Sequence, residues 1–324
     1  AAAEAADGSA SGPALSAGAA ALENEHLRIE FAADGTFTLK DKHTGMVYAD
    51  LCEFEDAGDV GNEYMFREAG GEERITTKNV PAEIRAIRRD SFAAAVEIVH
   101  RLNLPASADE TLQAEREAMV PIWRRQARRS RETVPMTLRT VVTLEKGARH
   151  VKLRVEFENK AKDHRLRVKF PTDIESRVHY ADSVFEIAER PNEPAPEWTN
   201  PSFCHHQQAF VAVENESFGL MAANIGLSEY EVLRDGRNTI AVTLLRAVGE
   251  LGDWGVFPTP EAQCLGEHAM ELALIPYGGA GERSAAANLA YAFRIPWTTC
   301  AAGVHEGRLA PGSALLEWEG EGLA

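Results

Sequence analysis

The chain has 324 residues, 44% of them hydrophobic and 26% charged, with a formal net charge of −16. That length can bury a sizeable core in one large domain or two. The acidic surplus argues against nucleic acid as the main partner, because neutralising phosphates takes clustered Lys and Arg, and no run reaches the roughly 18 apolar residues of a membrane-spanning helix. An uncharged ligand such as a sugar is compatible with this balance without being implied by it.

The first 21 residues are mostly Ala, Gly and Ser, and they read as a disordered linker or expression remnant. There is no initiator Met, so the chain is expected to begin inside a longer protein. Structure is expected over 22–324. Leu27, Ile29 and Phe31 alternate with polar residues, which predicts a half-buried strand. Asp34-Gly35 then predicts a hairpin turn, Thr36–Lys40 the return strand, and Lys42–Gly45 a second turn. Glu53–Phe66 is acidic and glycine-bearing and reads as a loop. The charged stretch Ala108–Ala118 predicts a short helix. Alternation predicts strands over 134–144, 151–157 and 166–170, the last ended by Pro171. A pair over 210–213 and 218–222 follows, joined through Asn215. Further strands are expected over 240–244 and 270–274. Four prolines bar Glu189–Pro201 from a central strand. Gly249–Gly266, with Trp254, Phe257, Pro258 and Pro260, reads as a long loop of the kind that carries function or packs on a neighbour. Many short strands with turns between them give an all-β chain, a large antiparallel sandwich or barrel.

Cys52, Cys204, Cys264 and Cys300 are far apart and form no CxxC pair. Free, mostly buried thiols in a reducing, cytoplasmic compartment are the simple reading. In Glu53–Tyr64, carboxylates stand beside Tyr64 and Phe66. Glycoside hydrolysis uses two carboxyl groups, although a solvated acidic turn or an oxygen-ligand cation site fits the same residues. Cys204-His205-His206 suggests a metal, but in an extended chain neighbouring side chains point to opposite sides. Glu267 and His268 are the residue types of an acid/base pair, or of a segment that bonds a loop onto a sheet. Trp123–Arg131 is a basic patch that suits a phosphate or an anionic sugar, or pairing with the acidic surplus.

Several blocks in this order resemble the C-terminal β region of family 38 glycoside hydrolases, the bacterial α-mannosidase and mannosylglycerate-hydrolase-like branch. They include Phe54-Glu55-Asp56 with Gly58-Asp59-Val60-Gly61-Asn62-Glu63-Tyr64, then His164-Arg165-Leu166-Arg167-Val168 with Phe170-Pro171-Thr172. Gly226–Val232, Thr243–Gly249 and Thr259–His268 follow. The resemblance implies an all-β, large antiparallel super-sandwich that is galactose mutarotase-like. It implies part of a retaining enzyme acting on α-linked mannose. Its aspartate nucleophile and zinc would reside in an N-terminal catalytic domain before Ala1, and further β structure would follow Leu315-Leu316-Glu317. On that expectation this chain carries no catalytic residue and no cofactor of its own, and is inactive alone. Its partners are a mannose-containing glycan or glycoside and the N-terminal catalytic domain of the same enzyme, with no nucleic acid and no membrane. Tyr64 is the leading substrate-contact candidate, followed by Asp59, Arg246, Gln263, Glu267 and His268. The competing readings are a stand-alone carbohydrate-binding module and a mutarotase-like sugar enzyme with its own acid and base.

Overall fold

The computed structural model describes residues 16–18, 21–71, 74–199, 201–252, 257–295, 298–301, 303 and 306–308. Trp254, Leu315-Leu316-Glu317 and most of the expected linker lie outside them. The strands fall into three sheets, and every named pairing is antiparallel. A five-stranded meander opens the chain: β1 (Ser16–Gly18), β2 (Ala21–Glu23), β3 (Leu27–Phe31), β4 (Phe37–Asp41) and β5 (Val47–Leu51). Ser16–Gly18 and Ala21, inside the segment read as a linker, are thus paired strand. The expected turn at Asp34-Gly35 closes between β3 and β4 by Ala32 N–H donating to Thr36 O at 2.8 Å.

Next, β6 (Glu53–Gly58) and β7 (Ile75–Thr76) enter a six-stranded sheet, and β8 (Glu83–Arg89), β9 (Ala93–Pro105), β10 (Thr133–Glu145) and β11 (Val151–Asn159) enter a nine-stranded one. The helix α1 (Glu110–Glu117) interrupts β9 and β10, capped by Asp109 accepting from Thr111 N. After that the chain shuttles between the two sheets. β12 (His164–Phe170), β15 (His205–His206), β18 (Glu229–Val232) and β19 (Ile240–Ala247) join the six-stranded sheet. β13 (Val178–Asp182), β14 (Ile187–Pro191), β16 (Phe210–Glu214), β17 (Gly219–Asn224) and β20 (Gly266–Tyr277) join the nine-stranded one. The helix α2 (Arg283–Arg294) closes the described fold.

The three sheets enclose one core, to which Phe37 and Leu39, Phe54, Leu166 and Val168, and Leu138, Leu153 and Leu272 all contribute. Strand β11 shows how the pattern works: Val151, Leu153, Val155 and Phe157 face inward, and Lys152, Arg154, Glu156 and Glu158 face out. β16 and β17 are buried along their whole length. Their inner face meets the core, and their outer face is covered by the small side chains Ala286, Ala287 and Ala290 of α2. The part of the outer face that α2 leaves open carries an ion-pair ladder, Arg85–Glu97–Arg139–Glu156–Arg154–Glu271, which crosses five strands from β8 to β20. The chain is therefore all-β and antiparallel, as expected.

Two readings change. Glu53–Gly58 is a strand inside the six-stranded sheet, flanked by β12 and β7, and not part of a loop. Its charges are tolerable there because Glu53 and Glu55 stand opposite Lys169 and Arg167 of β12. The proline-bearing segment does contribute a strand, β14, but at the sheet edge, where no further neighbour needs its amides.

Candidate functional site: a clamped hairpin and the groove beside it

Beyond β6 the chain makes a tight excursion. Val60 N donates to Arg67 O at 2.8 Å and Asn62 N to Met65 O at 3.0 Å, so residues 59–68 fold back on themselves with Tyr64 at the tip. Asn62 shapes the tip, its Oδ1 accepting from Tyr64 N at 3.0 Å and Met65 N at 2.9 Å. Gly61 is obligatory here, because a Cβ would stand 1.9 Å from Met65 O.

Two arginines hold this hairpin. Arg125 donates to Val60 O at 2.7 Å and Gly61 O at 3.1 Å, and Arg246 donates to Asn62 O and, at 3.3 Å, to Glu63 O. Four successive carbonyls are thus capped by guanidinium groups. Each arginine is itself fixed by a buried carboxylate. Arg246 pairs with Asp59 Oδ2 at 2.7 Å, and Arg125 with Glu250 Oε1 at 2.6 Å. Arg116 binds the other oxygen of Glu250 at 2.5 Å. Asp59 is fully buried and also accepts from Gly61 N and Arg67 N. Burial pushes its carboxyl above the ordinary value, and Arg246 with those amides opposes the rise. Tyr64 itself is 60% exposed. The clamp fixes the backbone and leaves the ring exposed.

Tyr64 opens onto a groove of about 910 Å³ on the outer face of the six-stranded sheet. Its aromatic walls are Tyr64, Phe66 and Phe203, and its floor is made of charges from β12 and β18. Arg167 lies between Glu231 Oε2 at 2.7 Å and Glu55 Oε1 at 2.6 Å. Burial opposes ionisation of Glu55, but Arg167, then Lys169 and Arg74, hold its carboxyl down at about 2. Arg165, two residues along β12, stacks on Phe66 with its guanidinium carbon 3.4 Å from the ring centroid, and donates to Cys204 Sγ at 3.2 Å. Arg234 stacks on Phe203 at 3.6 Å. Planar cations and aromatic faces side by side suit a ligand with both apolar ring faces and polar edges.

The candidate residues from the sequence do not all meet. Asp59, Arg246 and Tyr64 come together in the hairpin, with only Tyr64 exposed toward the groove. Gln263 is buried behind it, where it accepts from Asp163 N and donates to Asp163 Oδ1, both at 2.8 Å. It belongs to a polar network that continues through Asn159 to His164, Asp56 and Arg129. Glu267 and His268 are neighbours on β20, so their side chains project from opposite faces. His268 stacks on Phe157 and bonds Cys264 O at 2.7 Å, while Glu267 is exposed. His205 leans on His179 and Tyr230, and His206 meets Arg190. Among the described residues no group of three or more His, Cys, Asp or Glu is placed to hold a metal ion, and no helix is long and apolar enough to cross a membrane.

The family model described as "Glycosyl hydrolases family 38 C-terminal domain" matches residues 22–251. The chain belongs to glycosyl hydrolase family 38, as its C-terminal domain. A protein of Halalkalibacterium halodurans provisionally named mannosylglycerate hydrolase is 45% identical over 302 residues, which cover 93% of this chain and 33% of that protein. The crystal structure of an alpha-mannosidase from Enterococcus faecalis V583 superposes with a TM-score of 0.86 at 43% identity, covering 90% of this chain and 33% of that one. A second Enterococcus faecalis structure, described as a family 38 protein, gives the same TM-score and identity over 93% of this chain and 35% of that one. The chain therefore spans about a third of the length of the relatives it matches.

Arg125 and Arg129, in the basic patch, pair with carboxylates, one of the two readings of that patch: Arg125 is clamped to Glu250 and Arg129 to Asp56. Arg165 and Arg167, which line the groove, carry a signal in the sequence: both occupy the polar phase of an alternating strand, as Glu53 and Glu55 do in β6.

Proposed function

We propose that this family 38 domain walls the substrate groove of a retaining α-mannoside hydrolase, and supports the N-terminal catalytic domain that would carry the nucleophile and zinc. The observation that carries this reading is the clamped hairpin. Buried Asp59, Glu250 and Arg125, with the half-buried Arg246, are spent on fixing four carbonyls so that one exposed tyrosine is presented beside a groove. A surface turn with no ligand has no need of such a clamp. Preorganised contacts of this kind lower the cost of ordering a side chain on binding. Tyr64 would meet the sugar by its hydroxyl. Asp59 and Arg246 act through it as positioning residues, and Gln263 positions the wall behind them.

The full-length enzyme is expected to release nitrophenol from an aryl α-mannoside, and this chain alone to release none. Tyr64→Phe in the full-length enzyme should lower kcat/KM by about 10-fold or more, the value of one lost hydrogen bond to a polar ligand. Its unfolding free energy should move by less than about 0.5 kcal/mol, as for an exposed side chain. Unchanged kcat/KM removes Tyr64 from the site, and turnover by the isolated chain removes the division of labour proposed here.

A further inference from the structure

The basic patch divides into two kinds of arginine. Arg125 and Arg129 are spent on Glu250 and Asp56. Arg128 and Arg131 are exposed, and among the described residues neither has an ion-pair partner. Both line a cleft of about 1150 Å³, which shares no lining residue with the Tyr64 groove. The wall of this cleft is latched through the backbone. On one side Gly70 N donates to Ala127 O at 2.8 Å. On the other, Ser130 N donates to Ser107 O at 2.9 Å and Asp109 N to Arg128 O at 2.8 Å. Arg129 ties the same segment to fully buried Asp56. Little of the wall has to be ordered when a ligand enters.

The charges of the cleft balance, although the chain as a whole has a net charge of −16. Arg128 and Arg131 share it with Glu110 and Glu132, which are also exposed and have no ion pair among the described residues. Asp109 is occupied in capping α1. An ion of either sign therefore meets as much repulsion as attraction. A sugar hydroxyl both donates and accepts, so it accepts from a guanidinium and donates to a carboxylate. The Asn103 amide on the same wall offers both functions, and Ile75 and Pro105 give apolar surface for the C–H faces of a ring. We propose that this cleft is a second saccharide-binding site, which takes an uncharged oligosaccharide of two or more units apart from the Tyr64 groove. Its volume sets the size, being above the roughly 300–1,000 Å³ of a pocket for one drug-sized ligand. The site does not rest on the hydrolase reading, because no residue that lines it lines the groove.

The test follows amide exchange by mass spectrometry in the full-length enzyme, titrated with an S-linked α-mannobiose that resists hydrolysis. Peptides over 103–110 and 127–133 report on the cleft, and those over 59–68 on the hairpin. The disaccharide should slow exchange in the cleft peptides. Asn103→Ala and Arg131→Ala change exposed side chains and should leave melting unaltered. Each should raise the sugar concentration for half-protection of the cleft at least about 10-fold. In both variants kcat/KM for an aryl α-mannoside should stay within about 2-fold. Protection of the hairpin alone, protection of neither region, or cleft protection that is the same in wild type and both variants overturns the proposal. So does cleft protection by inorganic phosphate that equals that of the sugar, because the site would then read charge and not hydroxyls. Cleft protection in an enzyme that cleaves no mannoside upholds the second site while the hydrolase reading fails.

Discussion

Replacing Glu55 by Gln tests whether the floor of the groove is an electrostatic structure or merely a packed one. Glu55 is 4% exposed and lies 2.6 Å from Arg167 and 3.4 Å from Lys169. Burial works against its ionisation, yet those cations and Arg74 bring the carboxyl from an ordinary 4.5 down to about 2. A drop of that size corresponds to about 3 kcal/mol of folding free energy at neutral pH. The folded value lies below the unfolded one, so this stability is complete above about pH 4.5 and is lost as the pH falls toward 2. Glu55→Gln removes the titration and leaves Arg167 with Glu231 alone. The variant should unfold at lower urea, with a deficit of about 3 kcal/mol at pH 7. At pH 3.5 the gap should have narrowed by about half. Urea unfolding of both proteins at pH 7, 5, 4 and 3.5 measures it. A deficit that stays constant from pH 7 to 3.5 would show that Glu55 acts through packing or shape, and the electrostatic account of β6 would be refuted.

Two further substitutions probe the elements around it. Gly61→Ala puts a methyl 1.9 Å from Met65 O, so the hairpin must open. It should cost about 1–3 kcal/mol and, in the full-length enzyme, lower aryl-mannosidase activity along with it; a variant with unchanged melting and activity would show that the tip is not held as described. Arg283→Ala at the start of α2 leaves buried Glu214 with, among the described residues, the Tyr277 hydroxyl at 2.6 Å as its side-chain partner. It should cost about 1–3 kcal/mol and speed amide exchange in α2 before the sheet; exchange that rises uniformly across the chain would argue against a locally latched helix.

The parts of the fold that were legible are those where one face meets core and the other meets water. β3, β4, β10 and β11 alternate with period two, and the hairpin at Asp34-Gly35 follows from residues that accept the turn. The illegible parts break that condition. α2 buries a stripe of alanines, and alanine carries little hydrophobic contrast from which a period of 3.6 could be read. β8 is almost wholly exposed, and its alternating pattern is correspondingly weak. β6 reads as an acidic loop because its glutamates are answered by residues more than a hundred positions away, which no local window contains.

The same distance argument decides what could be known of the site. The turn that presents Tyr64 is the legible part because it is local: Asp59, Gly61 and Asn62 carry it within six residues. The clamp was not recoverable, since Arg125 and Glu250 reach it from separate loops and Arg246 from β19. Glu267 and His268, adjacent and chemically suggestive, point apart on β20. Arg165, unremarked beside Arg167, differs from it only in what stands opposite, an alanine where Arg167 has a glutamate. Composition counts the two arginines alike, and only strand register tells them apart.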